Sequence, residues 1–382
     1  MKNLLSVGAA LMLTTTAATA GGLDRSGQPV GALFADGRYV ELSFGKVTPD
    51  VSGSFSVATP LGELTYDSGN VANDYTQLSF AYKTDINDKL SVALIFDQPF
   101  GANVDYSEGS VSPEELAATL GALDPSVAQD YPIEGSNAEF RSKGITALAR
   151  YKLNDNFSVH GGLRYVTIDA DATIVLPGVG TYAATYAEAS DTQVLIGGAY
   201  ERKDIAMRVA LTYATEMEFS HETEVGGTPV GTTDYIMPAS LNLDFQTGIA
   251  ADTLLMASAR WVEWSKTSID SPGYPANPIV SFDDDKISYA IGIGRRINDN
   301  FSASIMVGYE AASGGTSSNL APTDGNTSVT IGGRYTVGNG LTVSGGYRMV
   351  WLGDTETELG GQSPSFADNT ASGFGLTIGY TY

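Results

Sequence analysis

Along most of the chain, apolar residues alternate with small or polar residues at a period of two. The last segment shows this most clearly, with Phe374, Leu376 and Ile378 on one face and glycine and threonine between them. Such alternation is typical of a β-strand with one apolar and one polar face. A soluble sandwich would bury the apolar face in a core, whereas a membrane barrel turns it to lipid and leaves the small polar face to the lumen.

Comparable segments recur, and the connections between them are of two kinds. Short turns rich in Asn, Asp and Gly fall at residues 85–88, 154–156, 202–204, 250–252, 298–300 and 338–340. Asn, Asp and Gly tolerate the positive φ that tight hairpins need. Long polar segments fall between them, roughly at 49–72, 101–137, 169–184, 221–232, 268–284, 312–326 and 355–370. Six turns and seven loops predict an all-β, transmembrane antiparallel barrel of about 14 strands with both termini periplasmic.

A short repeat follows three of the turns. It reads Asp88-Lys89-Leu90-Ser91, Asp155-Asn156-Phe157-Ser158 and Asp299-Asn300-Phe301-Ser302. Its position after turn residues favours a hairpin device over a binding motif.

The N-terminus has the features of a secretory signal peptide. Lys2 precedes the apolar stretch from Leu4 to Leu13, and Ala18-Thr19-Ala20 forms a small-residue cleavage site. Residues 1–20 are therefore predicted to be absent from the mature protein; the alternative is a buried N-terminal helix. Later apolar runs are interrupted well before the roughly 20 residues that a spanning helix needs, which excludes a helical membrane protein.

Composition excludes several classes of function. The net charge of −23 argues against binding to nucleic acid phosphates or docking on anionic lipid. With no Cys, disulfides are excluded. The two His residues, His160 and His221, lie apart and accompany no nucleophile motif, so no enzyme activity, cofactor or metal is predicted.

Six arginines fall on the lumen-facing phase of their strands: Arg150, Arg164, Arg208, Arg260, Arg334 and Arg348. Arginine facing lipid at mid-membrane costs about 2–4 kcal/mol, which favours the inward orientation. These side chains either form a structural network with Asp97, Glu201 and Asp244, or hold a ligand carboxylate through the planar guanidinium fork. Arg260, Arg334 and Arg348 are the candidates for ligand binding.

The longest loop contains a helix signature. Ser112 is a good N-cap, Pro113 fits the first turn, and Glu115 completes a capping box. Leu116, Leu120 and Leu123 then share one helical face. This helix either packs on the barrel rim or offers an apolar capture patch for a ligand.

One acidic run is a candidate cation site. Asp283-Asp284-Asp285 supplies carboxylate oxygens of the kind that divalent cations prefer, but it lacks an EF-hand spacing. The alternative is a solvated charge run at a strand end, and the sequence leaves the choice open.

Several motifs in order resemble the FadL-type (FadL/TodX) outer-membrane transporters of long-chain fatty acids and hydrocarbons. Those motifs are Val40–Gly45 with Pro49–Gly53, Pro99-Phe100-Gly101, Met237-Pro238-Ala239-Ser240-Leu241, Trp261-Val262-Glu263-Trp264-Ser265, and Asp284–Gly292. The resemblance implies a 14-strand barrel over residues 39–382, an N-terminal hatch in the lumen over residues 21–38, and a path for a hydrophobic ligand.

The resemblance also implies lateral release through a gap beside an inward-kinked strand. The candidate gate here is Asp97, Gln98, Pro99 and Phe100, because proline removes a ladder hydrogen bond. One departure concerns the hatch, where the family's Asn-Pro-Ala element is replaced by Gln28-Pro29-Val30-Gly31-Ala32-Leu33-Phe34. That difference puts gating by the hatch in doubt, and an insertion around residues 105–137 lengthens a loop instead.

The resulting expectation is passive transport of hydrophobic small molecules, such as long-chain fatty acids or related lipids, across the bacterial outer membrane. The expected partners are the ligand, outer-membrane lipids and, because the chain ends on the aromatic Tyr382, the barrel-assembly machinery. The alternatives are a general diffusion porin and a structural or adhesive surface barrel.

Overall fold

The computed structural model of the chain describes residues 23–59, 62–111, 131–359 and 361–382. Within these ranges, fourteen antiparallel strands form one closed barrel. They are β1 (Tyr39–Asp50), β2 (Tyr75–Asp85), β3 (Leu90–Asp97, resumed as Gly101–Asp105), β4 (Asn137–Lys152), β5 (Phe157–Leu176), β6 (Gly180–Arg202), β7 (Met207–Ala214, resumed as Met217–Val225), β8 (Thr228–Met237, resumed as Ser240–Ala250), β9 (Thr253–Val262), β10 (Lys286–Arg296), β11 (Phe301–Glu310), β12 (Asn326–Gly338), β13 (Leu341–Leu352) and β14 (Thr370–Thr381).

The sheet closes between the first strand and the last. Tyr39 of β1 lies opposite Thr381 of β14, and on its other side β1 pairs with β2 from Tyr39 opposite Lys83. The prediction of an all-β antiparallel barrel of about 14 strands is confirmed. The described part of the chain holds no helix long and apolar enough to cross a membrane.

The six predicted short turns lie together at the end of the barrel where β1 begins and β14 ends, here called the turn end. The repeat that follows three of them has a common structure. The side-chain oxygens of Asn87, Asn154 and Asn298 each accept a hydrogen bond of 2.9 Å from the backbone N–H three residues later. The repeat is therefore a hairpin device, as predicted.

At the opposite end, here called the loop end, two of the seven predicted loops are wrong. Residues 169–184 and 221–232 are continuous β-structure joined by tight turns, in which Gly178 has a φ of +74° and Gly226 one of +57°. The alternation there is inverted: Tyr182, Ala184 and Tyr186 are buried inside, while the residues between them are exposed. Once a strand has left the lipid, its outer face meets water, and the usual apolar-out pattern disappears.

An apolar belt surrounds the outside of the barrel between these two ends. Leu78, Ile196 and Ile291 are each more than half exposed, at 58%, 63% and 57%. The same outward phase on other strands carries Phe44, Leu163, Leu243, Ile305, Ile331 and Phe374. So much contiguous exposed apolar surface is what a lipid bilayer covers in a barrel of this kind.

The N-terminal segment of residues 23–38, here called the hatch, runs from the turn end into the lumen. It contains the 3-10 helix Gly31–Phe34, in which Ala32, Leu33 and Phe34 are buried. Two further 3-10 helices, Lys203–Ile205 and Trp264–Lys266, lie in connections between strands, and Trp264 is buried.

The loops at the loop end carry their own structure. A six-stranded sheet is built from Gly53–Thr59, Gly62–Asp67, Ser110–Val111, Thr316–Ser317, Thr355–Thr357 and Ser365–Phe366, and a two-stranded one from Ser268–Ile269 and Val280–Ser281. Phe55 and Phe366 of the six-stranded sheet pack in one apolar cluster with Tyr106 and Tyr131 of the adjoining segments. These loops therefore form an ordered cap over the loop end.

Candidate functional site

The wall of the barrel is interrupted beside β3. The ladder between β2 and β3 runs from Asp85 opposite Ser91 to Phe80 opposite Phe96, and in the described residues β3 offers no ladder partner to β2 beyond that pair. A side chain replaces the missing backbone acceptor, since Gln98 Oε1 accepts a hydrogen bond of 3.1 Å from the Leu78 N–H. One side-chain hydrogen bond thus joins the two strands at the height where the ladder stops.

Beyond Asp97 the strand turns away from β2 and binds the hatch. The Pro99 carbonyl accepts hydrogen bonds from the backbone N–H groups of Arg25 (2.8 Å) and Ser26 (3.2 Å). The N–H of Gly101 donates to the Leu23 carbonyl at 2.8 Å. Proline has no N–H for the ladder, which suits it to this position.

β4 holds the kink from its other side. The backbone N–H of Phe100 donates to Ser142 Oγ at 2.8 Å, and this hydroxyl donates to the Phe100 carbonyl at 2.6 Å. The inward turn at residues 97–100 is thus held by both the hatch and the neighbouring strand.

A narrow opening lies at this break, with about 40 Å³ of space for the centres of water-sized molecules. Its inner side is lined by Ser26 and Pro29 of the hatch and by Asp97, whereas Leu78 and Leu376 line it at the apolar belt. The opening therefore connects the hatch inside the lumen with the surface that faces lipid.

A polar anchor ties the hatch to the opposite wall. Arg260 of β9 donates through Nε to Asp24 Oδ2 at 2.5 Å. Its Nη1 donates to Asn242 Oδ1 at 2.6 Å and lies 3.4 Å from Gln28 Oε1. Gln28 also donates to Gln193 Oε1 at 2.9 Å. The hatch is thus held here by the Arg260–Asp24 ion pair and by hydrogen bonds of Gln28.

Phe34 is buried inside the barrel near the turn end. Its ring contacts two guanidinium groups, with the Cζ atoms of Arg150 and Arg208 at 4.5 and 4.7 Å from the ring centroid. His160 packs edge-on at 5.8 Å between ring centroids. Cation–π contacts on desolvated rings contribute about 2 kcal/mol, so Phe34 is firmly held.

Above the hatch the interior is apolar. A cluster of buried side chains, here called the aromatic cluster, contains Phe100, Met217, Phe219, Tyr235, Met237 and Trp264. Phe219 and Tyr235 stack at 5.8 Å, and Leu23 of the hatch belongs to the same cluster. The interior between the loop end and the break is therefore filled by packed apolar and aromatic side chains.

Comparison with solved structures settles the architecture. A FadL homologue from Pseudomonas aeruginosa is similar over 97% of this chain and 96% of its own, with a TM-score of 0.69 and 15% identity. The P. putida toluene transporter TodX is similar over 93% and 92%, with a TM-score of 0.63 and 13% identity. The chain has the FadL fold.

A further neighbour is the monoaromatic hydrocarbon channel CymD. It is similar over 100% of this chain and 99% of its own, with a TM-score of 0.60 and 12% identity. No protein-family model and no curated protein sequence matches the chain. At identities this low, the FadL fold is what these likenesses establish, and the predicted resemblance holds at that level.

Within this fold the three candidate ligand-binding arginines do not share one site. Arg260 lies at the hatch. Arg348 of β13 donates to Ser328 Oγ at 2.9 Å. Arg334 lies near the turn end of β12, opposite Ser302 and Ser344 and within electrostatic reach of Glu41. Arg260 alone among the three binds the hatch through hydrogen bonds that the structure describes.

The alternative interpretation of the arginines, a structural network with wall carboxylates, is also present. Arg164 Nη2 donates to Asp97 Oδ2 at 2.5 Å, and Arg150 pairs with Glu201. Arg208 lies within electrostatic reach of Asp244. These are the carboxylates that the sequence pattern pointed to.

Other predicted residues are placed outside the site or outside the description. Leu116, Leu120 and Leu123, like the signal peptide, lie outside the described residues. Asp285 accepts hydrogen bonds from Ser265 Oγ at 2.6 Å and Trp261 Nε1 at 3.2 Å, so it fastens a loop. In the described ranges no cluster of three acidic or histidine side chains is placed to hold a metal ion.

Sequence reasoning missed Asp24, Gln28 and Phe34 as the residues by which the hatch is held. An acidic residue in a segment expected to enter a lumen rich in inward arginines was the available signal for Asp24. Its choice of Arg260 depends on where the hatch lies.

Proposed function

We propose that this barrel carries hydrophobic small molecules passively across the bacterial outer membrane and releases them sideways into the lipid. The observation that carries the proposal is the opening beside β3, which is lined by the hatch on its inner side and by the apolar belt on its outer side. The FadL fold supports it, because two proteins that share the fold are described as a toluene transporter and a monoaromatic hydrocarbon channel.

The route begins at the loop end, passes the aromatic cluster and turns outward at residues 97–100. Below that level lies the hatch, in which Phe34 contacts Arg150 and Arg208 on the way to the turn end. A ligand that cannot continue downward leaves through the wall. A diffusion porin needs a water-filled lumen, which a hatch fastened at both Asp24 and Phe34 opposes.

Two measurements on the purified barrel test the proposal together. In planar bilayers we expect near-silent conductance, and in proteoliposomes we expect faster transfer of hexadecane and palmitate into the vesicle lipid than in protein-free vesicles. Large, steady conductance without faster transfer would point to a porin. Silence in both measurements would favour a structural or adhesive barrel.

For the ligand, we propose long-chain fatty acids, with Arg260 as the residue that meets the carboxylate. Because Arg260 already binds Asp24, the acid has to exchange with that side chain. Burial of the alkyl chain supplies most of the affinity, at about 0.8 kcal/mol per CH₂. The exchange releases Asp24, and with it one anchor of the hatch.

Substitutions at the Arg260–Asp24 ion pair are expected to change the affinity for acids and to leave the affinity for alkanes unchanged. A hydrogen bond to a charged group contributes about 1.5–3 kcal/mol, so Arg260→Gln should weaken palmitate binding about tenfold or more and leave hexadecane unchanged. Asp24→Asn should strengthen palmitate binding, because it removes the competitor.

Arg334→Gln and Arg348→Gln are matched controls for the loss of an inward charge. Dissociation constants of both ligands for the four variants decide the matter. Equal losses for acid and alkane in Arg260→Gln would mean that Arg260 has a structural role.

A further inference from the structure

A second polar site lies at the inner edge of the opening. Asp97, Thr146 and Arg164 occupy neighbouring positions on the inner wall: Thr146 of β4 lies directly opposite Arg164 of β5, and Asp97 of β3 pairs with Gly144, two residues before Thr146. The side chains of Asp97 and Arg164 are each 2% exposed, and Thr146 is 3% exposed. Ser26 of the hatch completes the group, with its Oγ 3.4 Å from Arg164 Nη2.

Each of these three wall residues keeps one buried polar atom without a hydrogen bond in the described structure. They are Asp97 Oδ1, an acceptor, Arg164 Nε, a donor, and Thr146 Oγ1, which is both. Asp97 also lines the opening. Buried polar groups in proteins are almost always hydrogen-bonded, and three orphaned atoms on adjacent strands indicate a place where a polar group binds.

The charges of the site decide which polar group fits. Asp97 Oδ2 and Arg164 Nη2 already neutralise each other at 2.5 Å. A carboxylate would meet Asp97 Oδ1, and an ammonium group would meet the Arg164 guanidinium, each at close range in a water-poor interior. An uncharged group with one O–H and one acceptor oxygen matches the free acceptor and the free donor without repulsion.

We propose that Asp97, Thr146 and Arg164 form a subsite for the uncharged, hydroxyl-bearing head group of a long-chain ligand, such as an alcohol or a protonated carboxylic acid. The inference rests on the proposed lateral release, because the subsite lies where the ligand would leave the lumen for lipid. There the head group sheds water or charge before it enters the bilayer, and the subsite holds it in that state.

Three ligands with sixteen carbons test the subsite: hexadecan-1-ol, hexadecane and palmitate, each measured by competition against tritiated hexadecan-1-ol in detergent at pH 7.5. Wild-type protein should bind the alcohol about threefold to tenfold more tightly than the alkane, as expected for one or two net hydrogen bonds. Thr146→Val preserves the shape of the side chain and should remove most of that difference without affecting the alkane.

Thr212→Val is the matched control, since Thr212 is also buried in the inner wall but its hydroxyl is already bonded to His160 Nε2 at 2.8 Å. It should retain the preference for the alcohol. Asp97→Asn should weaken binding of the alcohol and strengthen binding of palmitate, because the charge of Arg164 is no longer neutralised. Heat-modifiable gel mobility verifies that each variant is folded, and Thr146→Val keeps the test available if the charge variant does not fold.

The outcomes separate this inference from the proposed function. If wild-type protein binds none of the three ligands, the proposed function fails. If it binds the alkane and the alcohol equally, or if Thr146→Val lowers both alike, the subsite is wrong while hydrophobic transport stands. If palmitate binds most tightly and Thr146→Val weakens it most, the site takes a charged head group and the inference is overturned.

Discussion

Deleting residues 374–382 is expected to abolish the barrel. These residues provide most of β14, which pairs with β1 on one side and with β13 on the other. Without them two strand edges would face lipid with unpaired backbone groups, each of which costs several kcal/mol in that environment. The truncated protein should show no heat-modifiable gel mobility and should be digested by protease.

Refolding into detergent micelles, with no assembly machinery present, isolates the role of the strand. Under those conditions Tyr382→Ala, which keeps the paired residues of β14, should fold like the wild type. A compact, protease-resistant product from the truncated chain would show that the barrel closes without this strand and would contradict the observed register.

Locking the opening is expected to stop lateral release. The chain has no Cys, so a double substitution introduces the sole thiol pair. Residues 78 and 98 already meet at the opening, where Gln98 Oε1 accepts from the backbone N–H of Leu78 at 3.1 Å, so a disulfide in Leu78→Cys/Gln98→Cys would join the two strands there. Oxidation should reduce transfer of hexadecane into vesicle lipid to the rate of protein-free vesicles, and reduction with dithiothreitol should restore it.

A neighbouring pair of positions provides the control. Phe80 and Phe96 lie opposite each other in the intact ladder, with ring centroids 6.1 Å apart, so a disulfide there joins strands that are already paired. Phe80→Cys/Phe96→Cys should transfer hexadecane equally well oxidised or reduced. Undiminished transfer by the oxidised Leu78→Cys/Gln98→Cys protein, with the crosslink verified by mass spectrometry, would rule out release at this opening.

Hydrogen bonds join the hatch inside the lumen to the opening in the wall. Residues 97–100 leave the wall, and the Pro99 carbonyl and the Gly101 N–H form hydrogen bonds with the hatch at Leu23, Arg25 and Ser26. The hatch in turn is held by Arg260 and by Arg150 with Arg208. Displacement of the hatch at Asp24 would therefore also displace residues 97–100, because the two segments share backbone hydrogen bonds.

The sequence alone predicted the features that depend on local periodicity. Alternation of the kind seen from Phe374 to Tyr382 determines which face of each strand meets lipid, because successive side chains point to opposite faces. Turn residues such as Asn87, Asn154 and Asn298 mark one end of the barrel. From these two signals follow the strand number, the inward arginines, and the carboxylates Asp97, Glu201 and Asp244 as partners.

The tertiary structure decided which inward groups meet. Arg260 contacts Asp24 across 236 positions of sequence, and Arg164 contacts Asp97 across 67, distances over which no periodicity carries information. Arg260, Arg334 and Arg348 are alike in phase, yet the register of the closed sheet places them at different heights. The inverted alternation around Tyr182 likewise depends on the strands continuing beyond the lipid, because the solvent on each face determines which residues a strand turns inward.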